Sequence, residues 1–96
     1  NFKEAIKWFE KASEQGDADA TRNLAIMYYD GQGINKNSEK TLELLKKAVE
    51  QGKDSSLHAI ENLFGEEILK KIYEQGDAAI QSKLGDKYYN EFGELP

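Results

Sequence analysis

Glu14-Gln15-Gly16, Glu50-Gln51-Gly52 and Glu74-Gln75-Gly76 are one phrase written three times, and the first two copies lie 36 residues apart. That period falls in the range of helical repeat arrays. Upstream of the phrase, Ala5-Ile6-Lys7-Trp8-Phe9-Glu10-Lys11-Ala12 lies over Thr41-Leu42-Glu43-Leu44-Leu45-Lys46-Lys47-Ala48, and Asn1 falls over Asn37. Downstream the match continues at an offset of 60: Gly16-Asp17-Ala18 recurs as Gly76-Asp77-Ala78, Leu24 as Leu84, Tyr28-Tyr29 as Tyr88-Tyr89, and Gly33 as Gly93. Between Gly52 and Gly76 the unit has only 24 residues. There Ile60, Leu63 and Phe64 take the places of Leu24, Met27 and Tyr28, and Gly65 runs straight into Glu66. The dozen residues equivalent to Tyr29–Lys40 are missing from it.

Each unit holds two helices. Ala20, Leu24, Met27 and Tyr28, echoed by Ile80, Leu84 and Tyr88, form the i, i+4, i+7, i+8 stripe of an amphipathic first helix. Phe2, Ala5, Ile6, Phe9 and Ala12, echoed by Leu42, Leu45, Ala48 and Val49, form the stripe of the second. Gly16, Gly52 and Gly76 stand where a left-handed C-terminal cap belongs. Asp17 and Asp77 read as N-caps of first helices, and Asn1 and Asn37 as N-caps of second helices. The pattern predicts helices over 2–15, 17–30, 38–51, 54–64, 66–75 and 77–90. Small Ala5, Ala12, Ala25 and Ala48 let helix axes approach, and Trp8, Leu44, Tyr28 and Phe64 are expected to fill the gaps between them.

Composition narrows the function. Of 96 residues, 39% are hydrophobic and 32% charged, an ordinary globular balance. Thirteen basic against eighteen acidic residues give a net charge of −5. An acidic chain lacks the positive field that supplies most nucleic-acid affinity, and it is repelled by anionic membrane surfaces. Charged residues interrupt every apolar run, so no direct membrane insertion is expected. No cysteine is present for a disulfide or a thiolate metal site. No signal-peptide pattern opens the chain; a cytoplasmic location is favoured, with a periplasmic or secreted one if a signal peptide has been removed.

The stretch Asp17-Ala18-Asp19-Ala20 … Asn23-Leu24-Ala25-Ile26-Met27-Tyr28-Tyr29-Asp30-Gly31-Gln32-Gly33-Ile34 … Glu39-Lys40 … Lys47-Ala48-Val49-Glu50-Gln51-Gly52 closely resembles the Sel-one-like repeat of the tetratricopeptide-like superfamily. The resemblance is strong over 1–52, moderate over 72–93 and weak over 53–71. It implies an all-α fold, a right-handed α-α superhelix of helix-turn-helix repeats with one repeat shortened. The units read as 1–16 (partial), 17–52, 53–76 (shortened) and 77–96 (partial), a fragment of a longer solenoid. The resemblance also implies a non-catalytic scaffold with first helices lining a concave groove that binds a protein or peptide. Lys87 departs from the pattern, replacing the apolar Met27 of the aligned unit.

If that groove geometry holds, the facing positions are Asp19, Arg22, Ile26 and Tyr29, then Ser55, His58 and Asn62, then Ala79, Ser82, Asp86 and Tyr89. Arg22 can fork onto a carboxylate, Asn62 can hydrogen-bond an extended backbone, and Tyr29 and Tyr89 offer flat amphipathic contact surface. Each taken singly is more often a solvated residue on a helix face; the case lies in the group.

No constellation in the sequence points to catalysis, a cofactor or a metal. His58 is the lone histidine, and Ser55 and Ser56 beside it on one helix have no orienting third group. Asp30-Gly31-Gln32-Gly33-Ile34-Asn35 has Thr41, not glutamate, at the twelfth position of a calcium loop. Gly31-Gln32-Gly33 follows no strand, so it carries no nucleotide signature. Penicillin binding, associated with cysteine-rich bacterial relatives, is an alternative from another class, as is self-association through unpaired terminal helices.

Overall fold

The computed structural model describes residues 1–84. Within them the chain forms five helices, α1 (Phe2–Glu14), α2 (Ala18–Asp30), α3 (Ser38–Glu50), α4 (Ser56–Phe64) and α5 (Glu66–Glu74). Residues 78–84 are helical too (α6), and no strand occurs among the described residues. The fold is an all-α repeat solenoid.

Local chemistry sets the ends of the helices. Asn1, Asp17, Asn37 and Asp77 each accept, through Oδ1, the backbone N–H three residues on, all at 3.1 Å. Each thereby satisfies a donor that the first turn leaves without a partner. The Glu-Gln-Gly phrase proves to be a helix stop. Gly16 donates to the Ser13 carbonyl and Asp17 to that of Ala12, both at 3.0 Å; Gly52 and Lys53 repeat this on Val49 and Ala48. These paired bonds need the glycine at positive φ, here 96° and 107°.

Helix α4 begins two residues later than expected. Ser56, Leu57 and His58 close its first turn on the carbonyls of Lys53, Asp54 and Ser55, three residues back, and Ser55 provides no side-chain cap. The reason is local: the aligned unit has Asp17 at a capping position where this one has Lys53.

Packing runs between sequence neighbours, α1 on α2, α2 on α3, α3 on α4 and α4 on α5. Leu45, Val49, Ile60, Leu69 and Ile80 are fully buried along this line. Full burial of such a side chain stabilises by roughly 1.5–3 kcal/mol. Thr41, also fully buried, ties α3 to α2 by donating to the Ala25 carbonyl at 3.1 Å.

The connection after α2 covers α1. A Cβ on Gly33 would lie 2.5 Å from Phe2 Cβ, and Ile6 is buried beneath the same residue. In the shortened unit Gly65 alone joins α4 to α5. No equivalent connection exists there to cover Leu42, the counterpart of Ile6, which stays half-buried.

Trp8 corrects the sequence reading. It is 68% exposed and fills no gap, whereas its counterpart Leu44 is buried. Leu44 faces the helices that precede it; among the described residues nothing stands in that position beside Trp8. Phe2 is exposed as well, at 53%.

Candidate interaction face

Asp19, Arg22, Ile26 and Tyr29 recur every three or four residues along α2, on the side away from the buried Leu24. Their surroundings differ. Asp19 is exposed and pairs with Lys53 at 2.7 Å, from the turn that leads into α4. The hydrogen bond from Lys53 and its positive charge hold the Asp19 carboxyl below its ordinary value; partial desolvation works against this and the nearby Arg22 adds to it.

Arg22 and Ile26 open onto one hollow between α1 and α2, with Phe2, Ala5, Phe9 and Met27 as apolar walls and Asn23 and Gln32 at its edge. Arg22 is half-buried, and its Nε is fully covered without an acceptor. Leaving such a group unsatisfied carries a cost. Among the described residues it is the only charged side chain lining the hollow.

Tyr29 has a packing role as well. Its ring meets Phe64 of α4 edge-on, centroids 6.4 Å apart at 82°, and Lys36 Nζ sits 6.0 Å from the same ring centroid.

His58 lines a second, smaller hollow with Leu57, Leu69 and Leu84, rimmed by the ion pair of Asp54 and Lys83 at 3.3 Å. Ser55, Asn62 and Ser82 are exposed and line neither hollow, and Ala79 is half-buried. Asp86 and Tyr89 lie outside the described residues, as do Tyr88 and Lys87. Of the first-helix positions, Arg22 and Ile26 share one hollow, His58 lines the other, Tyr29 is engaged against Phe64, and the remaining described ones line neither.

Two features escaped sequence reasoning. The first is that Phe2, exposed, and Phe9, half-buried, wall one hollow with Arg22. The second is a buried ring of hydrogen bonds. The hydroxyls of Ser13 and Thr21 are 2.5 Å apart, Thr21 donates to Gln51 Oε1 at 2.5 Å, and Gln51 Nε2 donates to the Ser13 carbonyl at 3.0 Å. Thr21 has one proton, so with that proton on Gln51 the Ser13 hydroxyl donates into it. The ring locks the ends of α1 and α3 onto the start of α2. The glutamine of the repeated phrase was its one sequence signal. Thirty-six residues on, Val49 and Leu57 replace Ser13 and Thr21 with buried apolar side chains. Sixty residues on, Gln81 stands for Thr21 and donates to the carbonyl of Tyr73, the counterpart of Ser13, at 2.8 Å.

Among the described residues no helix is long and apolar enough to cross a membrane. No three His, Asp or Glu side chains converge there as a metal site would require.

Stacked two-helix repeats define a helical-repeat protein of the tetratricopeptide-like class. The model of the Sel1 repeat matches residues 1–17 and 18–53, more than half of the chain, and the chain belongs to that family. Repeats of this family generally mediate protein–protein interaction. No solved structure matches the chain.

Proposed function

We propose that this chain is a non-catalytic scaffold that holds a protein or peptide partner on the first-helix face of its repeats, units 1–16, 17–52, 53–76 and 77–96. Arg22 carries the reading. A half-buried guanidinium beside Phe9 and Ile26, in a hollow whose described lining holds no carboxylate, can fork its terminal N–H groups onto an acidic group of a partner. Asn62 and the free edge of Tyr29 extend that surface toward α4. Asp19 keeps Lys53 out of it.

The test is capture of a partner from the native lysate by the wild-type chain and by a variant with Arg22, Tyr29 and Asn62 replaced by alanine. Loss of a specific partner from the triple variant, with helical content unchanged, is the expected result. Equal capture by both would move the binding surface off this face.

Self-association is a second reading, favoured by the exposed Phe2 and Trp8. A monomeric mass independent of concentration would exclude it.

A further inference from the structure

A cleft of about 190 Å³ lies between α1 and α3, with α2 beneath it. It shares no residue with the hollow of Arg22. Buried Leu24 and Leu44 form its floor, and the half-buried Tyr28 stands beside them. Its walls carry opposite charge. Glu10 and Glu14, one turn apart on α1, line one side, and Lys40 and Lys47, two turns apart on α3, line the other. The two rows do not close on each other. Among the described residues Glu10, Glu14 and Lys47 join no ion pair, and Lys40 reaches only Glu43 of its own helix, at 3.9 Å. The Tyr28 hydroxyl makes no hydrogen bond among them either.

The repeat supplies its own comparison. In the next unit the apolar floor is kept as Ile60 and Ile68, and Glu14 and Lys47 recur as Glu50 and Lys71. Lys46, Val49 and Phe64, however, replace Glu10, Ser13 and Tyr28, and Lys40 belongs to the stretch that is missing there. The helices of that unit pack without this polar set, so packing alone does not account for it in the first cleft.

Size and charge together define what fits. The cleft is smaller than the roughly 300–1,000 Å³ of a drug-sized site, and a helix about 10 Å across is too wide for it. An occupant matched to both walls carries an ammonium and a carboxylate on a short apolar body. In a free amino acid those two groups share one carbon. Two extended residues set them about 7 Å apart and place between them a peptide group for the Tyr28 hydroxyl.

We propose that the α1–α3 cleft binds a dipeptide-sized zwitterion, its ammonium on Glu10 and Glu14, its carboxylate on Lys40 and Lys47, and its apolar side chain on Leu24 and Leu44. This site is independent of the first-helix face and takes a small ligand where that face takes a protein or peptide partner.

The probe is glycyl-leucine, titrated at low salt into the whole 96-residue chain and followed by NMR. Saturable shifts of the Leu24 and Leu44 methyls and the Tyr28 ring are expected, with a Kd on the order of 1 mM for contacts so exposed. Acetylating the amine or amidating the carboxylate should each weaken binding about threefold to fivefold, and free leucine should bind more weakly still. The variants cross with these peptides. Replacing Glu10 and Glu14 by glutamine should weaken glycyl-leucine about as much as acetylation does and leave the acetylated peptide unaffected. Lys47→Met should do the same with respect to amidation.

No saturable shift up to about 20 mM dipeptide, twenty times the expected Kd, would overturn the proposal. So would leucine binding as tightly as glycyl-leucine, or variants that weaken the blocked and unblocked peptides alike, since neither outcome is compatible with a ligand spanning two charged walls.

Discussion

Replacing Gln51 by alanine breaks the ring that joins α1, α2 and α3 without touching the apolar core. Two hydrogen bonds go, one from Thr21 at 2.5 Å and one to the Ser13 carbonyl at 3.0 Å. Each contributes about 1 kcal/mol net. Thr21 recovers part of the loss, since its hydroxyl also lies 3.1 Å from the Asp17 carbonyl. The expected destabilisation is about 1–2 kcal/mol, a fall in Tm of roughly 5–15 °C for a chain of this size. Thermal and urea unfolding followed by circular dichroism would measure it. Gln51→Glu should cost more, because a carboxylate turned toward the Ser13 carbonyl has no proton to donate. The decisive comparison is a double-mutant cycle with Thr21→Val. Residues of one ring should couple by about 1 kcal/mol. Strict additivity, within about 0.3 kcal/mol, would refute the ring as a cooperative unit.

Gly33→Ala combines a left-handed φ of 73° with a Cβ 2.5 Å from Phe2, whereas Gly52→Ala meets open space at a φ of 107°. The first should lower the urea midpoint well beyond the second, for which backbone strain of about 1–2 kcal/mol is the whole effect; equal midpoints would mean that the connection does not press on α1. The Asp19 carboxyl titrates below its ordinary value of 3.8 because Lys53 favours its charged form. The contribution of the pair to stability is therefore complete above that value and fades as pH falls through the lowered one. In Lys53→Met, the carboxyl resonance of Asp19 followed by NMR should titrate closer to 3.8, and added salt should move the wild type the same way.

The helices were legible because their signals are short-range. Asn1, Asp17, Asn37 and Asp77 cap three residues ahead, and Gly16 and Gly52 close bonds within six. The helix pairing followed from the repeat itself. What escaped reading depends on distance along the chain. The ring needs Gln51 to reach Ser13, 38 residues away. The exposure of Trp8 depends on which helices stand beside α1, and periodicity reports only that the position is apolar. For the proposed interaction face, helical spacing alone puts Arg22, Ile26 and Tyr29 on one side of α2. Their division between a hollow and an aromatic contact is set by where α1 and α4 lie against α2, which no local pattern encodes. The late start of α4 was visible in Lys53, the residue that stands where the aligned unit carries an aspartate.

Because each helix rests mainly on its neighbours in sequence, the length of one unit is a private matter. Helices α4 and α5 have nine residues each where α2 and α3 have thirteen, and a single glycine replaces a whole connection. At about 1.5 Å per residue that shortens each helix by roughly 6 Å. A globular core would transmit such a loss to every layer. Here it is insulated: α1 and α2 keep their ring and their hollow, untouched by what happened two helices away.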